Sequence, residues 1–143
     1  MAEYNFSYAS RLESEDQMLD DLQSVLELHE IVGGRAWRFS LVVSEAFTNA
    51  LIHGNASDPE RLVSLNIQVN ESEIIADIAD EGVCGLDRIS HRSSSDDLMA
   101  ESGRGIGFME RYADRVEYRE SQRGGLVVSL SVRLTEATKT SQF

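Results

Sequence analysis

The spacing of apolar positions changes along the chain from two to about four and back to two, and the predicted elements follow those changes. Residues 4–9, YNFSYA, alternate aromatic and small polar side chains and read as a first strand. Met18, Leu19, Leu22, Val25, Leu26 and Leu28 then recur at helical spacing. Ser14 is the expected N-cap of that helix, with Glu15, Asp16 and Asp20 toward its start, and Gly33-Gly34 its expected end. Residues 37–55, WRFSLVVSEAFTNALIHGN, are predicted to form a largely buried central helix, because neither Gly nor Pro interrupts its apolar positions before Gly54. A turn carrying Pro59 follows at 56–61. Strict alternation over 62–69 and a second run over 73–79, joined by Asn70-Glu71-Ser72, predict a hairpin. Residues 87–102 are polar and serine-rich, with the weak patterning of a long loop. Further on, the expected elements are a helix at 108–114, a strand at 115–119, a turn at 122–125 and a last strand at 126–134.

About five strands and three helices, with the helices early and the strands mostly later, predict an α+β fold. It should be a two-layer sandwich with helices on one face of a mixed, mainly antiparallel sheet. The polar alternate positions leave the other face partly wet. The 143 residues suit one domain over 1–143 with a real core. A net charge of −12 and the lack of a basic patch argue against direct nucleic-acid binding. A single cysteine, Cys84, excludes an internal disulfide and fits a reducing compartment. The N-terminus lacks the basic start and apolar run of a signal peptide, and no stretch reaches the length of a membrane span, so the expected setting is cytoplasmic.

Three constellations carry possible chemistry. Glu45, Asn49 and His53 sit at steps of four on the central helix, which places them on one face, one turn apart. A carboxylate and an amide so placed can hold hydrated Mg2+ and activate a hydroxyl; they also fit a plain solvent-facing polar stripe. Asp80-Glu81-Gly82 ends a strand. An aspartate there can accept a hydrogen bond from an exocyclic amine while glycine lets a planar ring approach; an ordinary turn has the same composition. Gly103-Arg104-Gly105-Ile106-Gly107 precedes a helix and can offer backbone N–H groups to phosphates, or act as a hinge. It follows no strand, so the dinucleotide-binding reading fails on context.

In this order, Glu45-Ala46-Phe47-Thr48-Asn49-Ala50, Asp80-Glu81-Gly82 and Gly103-Arg104-Gly105-Ile106-Gly107 resemble the N box and two glycine boxes of the GHKL ATP-binding superfamily. That superfamily includes gyrase, Hsp-type chaperones, mismatch-repair ATPases and histidine kinases. SEAFTNALIHGN is most similar to the small bacterial anti-sigma-factor serine/threonine kinases. The resemblance implies a Bergerat fold binding ATP and Mg2+. Glu45 would be the general base and Asn49 the Mg2+ ligand. Asp80 would read the adenine amine beside Gly82. Gly103, Gly105 and Gly107 would wrap the phosphates, with Arg104 and Ile106 between them and 87–102 as lid. The usual first glycine box has its second glycine where Cys84 stands, and Gly85 comes one residue later; either the loop has one extra residue, with Gly85 as the equivalent, or Cys84 is tolerated there.

The implied function is phosphorylation of a serine on a STAS-type anti-sigma-factor antagonist, with a sigma factor as a second partner and a homodimer as the family's common state. A non-catalytic, ATP-binding partner-switching module of the same fold is the alternative. The catalytic half of a histidine kinase fits less well, because no phosphoacceptor helix pair precedes the domain.

Overall fold

The computed structural model describes residues 1–83, 85–87 and 109–135. The predicted lid beyond Asp87, Cys84 and the glycine triplet Gly103, Arg104, Gly105, Ile106 and Gly107 lie outside the described residues. Five strands form one sheet: β1 (Ala2–Ala9), β2 (Leu62–Val69), β3 (Glu73–Ala79), β4 (Arg115–Glu120) and β5 (Leu126–Arg133), in the order β1-β2-β3-β5-β4. The expected mainly antiparallel sheet is antiparallel at all four of these pairings, with no parallel partner among the described strands.

Register converts the period-two pattern into a core. Tyr4, Ile67, Ala76, Leu130 and Val116 lie side by side across the five strands, and Phe6, Leu65, Ile78, Val128 and Tyr118 form the next row. These rows face two helices, α1 (Glu13–Leu28) and α2 (Gly33–Asn49). Met18, Leu22, Val25 and Leu26 of α1 and Phe39, Val42, Val43, Ala46 and Phe47 of α2 are buried against them. Tyr8 meets Phe47 edge-on at 5.5 Å and donates a 2.7 Å hydrogen bond to Asp21, fastening α1 to β1. Burial, then that bond and the Asp21 charge, push the Tyr8 phenol far above its ordinary range, so it stays a donor. The opposite face is polar: Asn66 Nδ2 donates to Asn5 Oδ1 and Glu3 Oε2, and Arg119 pairs with Asp77.

Three local expectations change. α1 starts after Leu12, and Ser14 is buried inside its first turn instead of capping it. The carbonyls of Arg11 and Leu12 accept from the Ser14 and Glu15 N–H groups, so the entry turn satisfies those donors itself. α1 also ends earlier, at Leu28. Glu30 adopts φ 57° there, and the Ile31→Leu26 and Glu30→Glu27 backbone bonds close a Schellman motif without glycine. Gly33, at φ 70°, opens α2 instead of ending α1. Finally, Trp37, an apolar position of the predicted buried helix, is 58% exposed, its ring edge-on to Tyr112 at 5.8 Å.

Candidate functional site

Residues 37–54 are helical as expected, but not uniformly so. α2 is α-helical through Asn49, and Ala50–Gly54 form a π-helical turn closed by a 2.8 Å bond from the Asn55 N–H to the Ala50 carbonyl. Glu45 and Asn49 therefore keep α-helical spacing and lie one turn apart, both half-buried. The wider turn beyond them takes His53 out of that register; it is exposed, in the last turn of the helix. Single π turns recur at functional sites, where the extra residue re-aims the side chains beyond it. Here it brings Gly54 onto Asp80.

Asp80 follows β3 and is only 5% exposed. Its N–H donates to the Leu126 carbonyl at 3.1 Å, and its Oδ1 accepts from the N–H groups of Gly82 (2.9 Å) and Leu126 (3.1 Å). Its Oδ2 lies against Gly54, where an added Cβ would come within 2.1 Å of it. A Cβ on Gly82 would meet the Gly54 carbonyl oxygen at 2.2 Å, and one on Gly125 the Asp80 carbonyl oxygen at 2.3 Å. Only backbone without side chains can pack this closely around the carboxylate. Gly85 is also buried: its N–H donates to Gly124, and a Cβ there would lie 2.8 Å from the Leu126 backbone. Close packing on β5 thus accounts for glycine at 85.

Asn55 completes this corner. It is fully buried, and its Nδ2 donates to Ser10 Oγ and to the Leu62 carbonyl, both at 2.9 Å, while its Oδ1 accepts from the Glu81 N–H at 2.7 Å. Sequence reasoning missed Gly54, Asn55, Gly125 and Ser10. Gly54-Asn55 reads as a helix stop and Gly125 as part of a turn; the available signal was a polar residue directly after a long apolar helix.

The Asn49 end differs. Asn49 Nδ2 is buried and has no hydrogen-bond partner among the described residues. A primary amide presents oxygen or nitrogen from the same position by a half-turn of its side chain, so this amide can offer an oxygen to a hard cation. No group of three or more His, Cys, Asp or Glu able to hold a metal occurs among the described residues. Mg2+ commonly takes one or two protein ligands and draws the rest from water and phosphate, so a single amide suits it. Glu15 on α1 braces this end. Its Oε2 accepts from Ser44 Oγ at 2.7 Å and Thr48 Oγ1 at 3.2 Å, the residues just before Glu45 and Asn49. Among the described residues, no helix is long and apolar enough to cross a membrane.

A helix carrying a carboxylate and an amide one turn apart, running into a glycine-lined aspartate at a strand end, defines a Bergerat-type nucleotide-binding domain on this α+β sandwich. The chain matches the histidine kinase-like ATPase domain over residues 8–132 and belongs to that family, whose fold is built to bind ATP. Among curated relatives it is 32% identical over 99 residues to an anti-sigma F factor of Bacillus cytotoxicus, covering 67% of this chain and 68% of that protein. An anti-sigma F factor of Clostridium beijerinckii is 36% identical over 87 residues, 57% of this chain and 59% of the relative. Among solved structures, the RsbU and RsbW domains of Rv1364c from Mycobacterium tuberculosis share the fold at a TM-score of 0.69 and 14% identity, over 93% of this chain and 32% of that one. The SiaB-SiaC complex from Pseudomonas aeruginosa does so at 0.60 and 14%, over 92% and 89%.

Proposed function

We propose that this chain is an ATP-dependent protein serine/threonine kinase that acts as an anti-sigma factor and phosphorylates a serine on a STAS-type antagonist in the cytoplasm. The observation that carries the reading is the buried Asn49 amide nitrogen, without a hydrogen-bond partner among the described residues, one turn from Glu45 on the helix whose end packs on Asp80. Asp80 accepts from the adenine amine and Gly82 lets the ring lie against the backbone. Gly85 holds the pocket wall on β5. Gly103, Arg104, Gly105, Ile106 and Gly107 supply N–H groups and charge to the phosphates. Asn49 holds Mg2+, which when bound neutralises phosphate charge. Glu45 accepts the proton of the substrate serine hydroxyl as its oxygen attacks the γ-phosphorus and ADP leaves. Phosphoryl transfer asks for little more than positioning, charge neutralisation and a proton acceptor. A sigma factor is the proposed second partner, held by the kinase until the antagonist displaces it, and the working unit is a homodimer.

The test is incubation with labelled ATP, Mg2+ and the candidate antagonist, with label sought on serine. Glu45→Gln keeps size and hydrogen bonding and removes the base. It should cut transfer by about 10^2 to 10^4 and leave ATP affinity nearly intact. Full phosphorylation by Glu45→Gln would remove Glu45 from the role of base. ATP binding without transfer to any antagonist in the wild type would instead make the chain a non-catalytic switching module.

A further inference from the structure

Asn55 is fully buried beside the site and uses both atoms of its amide, and nothing in the three motifs assigns it a role. Its carboxamide closes a ring with two other residues. Asn55 Oδ1 accepts from the Glu81 N–H at 2.7 Å, Glu81 Oε1 accepts from the Leu62 N–H at 2.6 Å, and the Leu62 carbonyl accepts from Asn55 Nδ2 at 2.9 Å. Ser10 buttresses the ring, taking the second Nδ2 hydrogen at 2.9 Å and donating to the Arg61 carbonyl at 2.7 Å. One buried amide thus joins the end of β1, the start of β2 and the turn leaving β3 to the residue that follows the π-helical turn. Glu81 stands between Asp80 and Gly82, and Gly54, beside Asn55, touches both.

We infer that Asn55 is a positioning residue for base recognition. By holding the Glu81 N–H it sets the direction of the Asp80 carboxylate and the closeness of Gly82, and so the preference for an adenine amine over a guanine carbonyl. The inference rests on the proposed nucleotide reading of Asp80. A donor left without its acceptor lets the turn relax toward any other partner, and an acceptor aimed at one exocyclic amine tolerates little tilt.

The experiment measures dissociation constants for ATP and GTP, each with Mg2+, on the full chain, with melting temperature as the stability readout. Asn55→Ala should lower the ATP-over-GTP preference by about tenfold, chiefly through weaker ATP binding. Asn55→Ser, which keeps a hydroxyl too short to reach Glu81, carries the same expectation if the alanine variant does not fold. Ile74→Val, a core truncation at the far end of β3, should lower the melting temperature and leave the preference within about twofold. In the wild type the Glu81 amide should be slow to exchange; rapid exchange there would overturn the inference without any variant. An unchanged preference in a folded Asn55 variant would overturn it too, leaving the nucleotide reading intact. A wild type without preference for ATP would sink that reading, and this inference with it.

Discussion

The two ends of the π-helical turn are built on opposite terms. At the Asp80 end, Oδ1 has two backbone donors, Asn55 uses both amide atoms, and glycines at 54, 82 and 125 press backbone onto the carboxylate. At the Asn49 end, five residues back along the helix from Gly54, a buried amide nitrogen has no partner among the described residues. A matched buried polar group stabilises the fold, whereas an unmatched one costs about 1–3 kcal/mol. The protein therefore completes the Asp80 end, proposed to read the base, and leaves an unmatched amide nitrogen among the described residues at the Asn49 end, proposed to meet phosphate and metal. Unmatched buried groups of this kind call for a functional explanation, because native structures contain few of them.

The sharpest way to break this contrast is to overfill the finished end. Gly54→Ala puts a methyl group 2.1 Å from Asp80 Oδ2 and 2.4 Å from its Cγ, so the carboxylate must swing away. ATP affinity should fall by roughly a hundredfold, with a stability loss of about 1–3 kcal/mol from overpacking. Gly34→Ala is the counterpart, because nothing lies within 4 Å of its Cβ position in α2. It should leave ATP affinity unchanged and raise stability by about 0.5–1 kcal/mol. Calorimetry and thermal melts on the two variants decide the matter; wild-type affinity in Gly54→Ala would mean Asp80 does not read the base.

The same contrast explains what the sequence made legible. Strand periods gave all five strands within two residues, because each inward position of β2 and β3 is apolar and each outward one mostly polar. The Glu45–Asn49 pair was legible because one α-helical turn separates them. The Asp80 corner was half legible: Asp80 and Gly82 stood out as a tripeptide, while Gly54, Gly125 and Asn55 act across 26 to 45 residues of chain through contacts that no local pattern encodes. The π turn was invisible because apolar residues fill it as they would an α turn. The Schellman end of α1 was missed because Glu30 occupies the left-handed position that glycine usually marks.

A smaller effect with an unusual sign comes from the open end. Asn49→Ala removes the buried amide and with it the cost of leaving its nitrogen unmatched. If the polar group is kept for the ligand and not for the fold, the variant should be as stable as the wild type or about 1 kcal/mol more so. Mg-ATP affinity and turnover should fall together, by about tenfold each, and the Mg2+ dependence should flatten. Denaturant midpoints beside Mg2+ titrations separate the two effects. A clear loss of stability with unchanged Mg2+ dependence would show that the amide belongs to the scaffold, and the contrast between the ends would fail.

The smallest expected effect tests whether the open end is nonetheless rigidly framed. Glu15 receives hydrogen bonds from Ser44 and Thr48, side chains one turn apart on α2 and each directly before a member of the Glu45–Asn49 pair. Glu15→Gln keeps an oxygen in place but removes the charge that strengthens both bonds, a loss of about 1 kcal/mol. For a domain of this size that lowers the melting temperature by about 3 °C. Because α2 remains packed through Phe39, Val43 and Phe47, the pair should keep its place. ATP affinity and phosphoryl transfer should then stay within about threefold of wild type, as expected of a surface-side support outside the reacting atoms. A tenfold fall in transfer at an unchanged melting temperature would instead put Glu15 in the chemistry. The open end of the site would then extend from α2 onto α1.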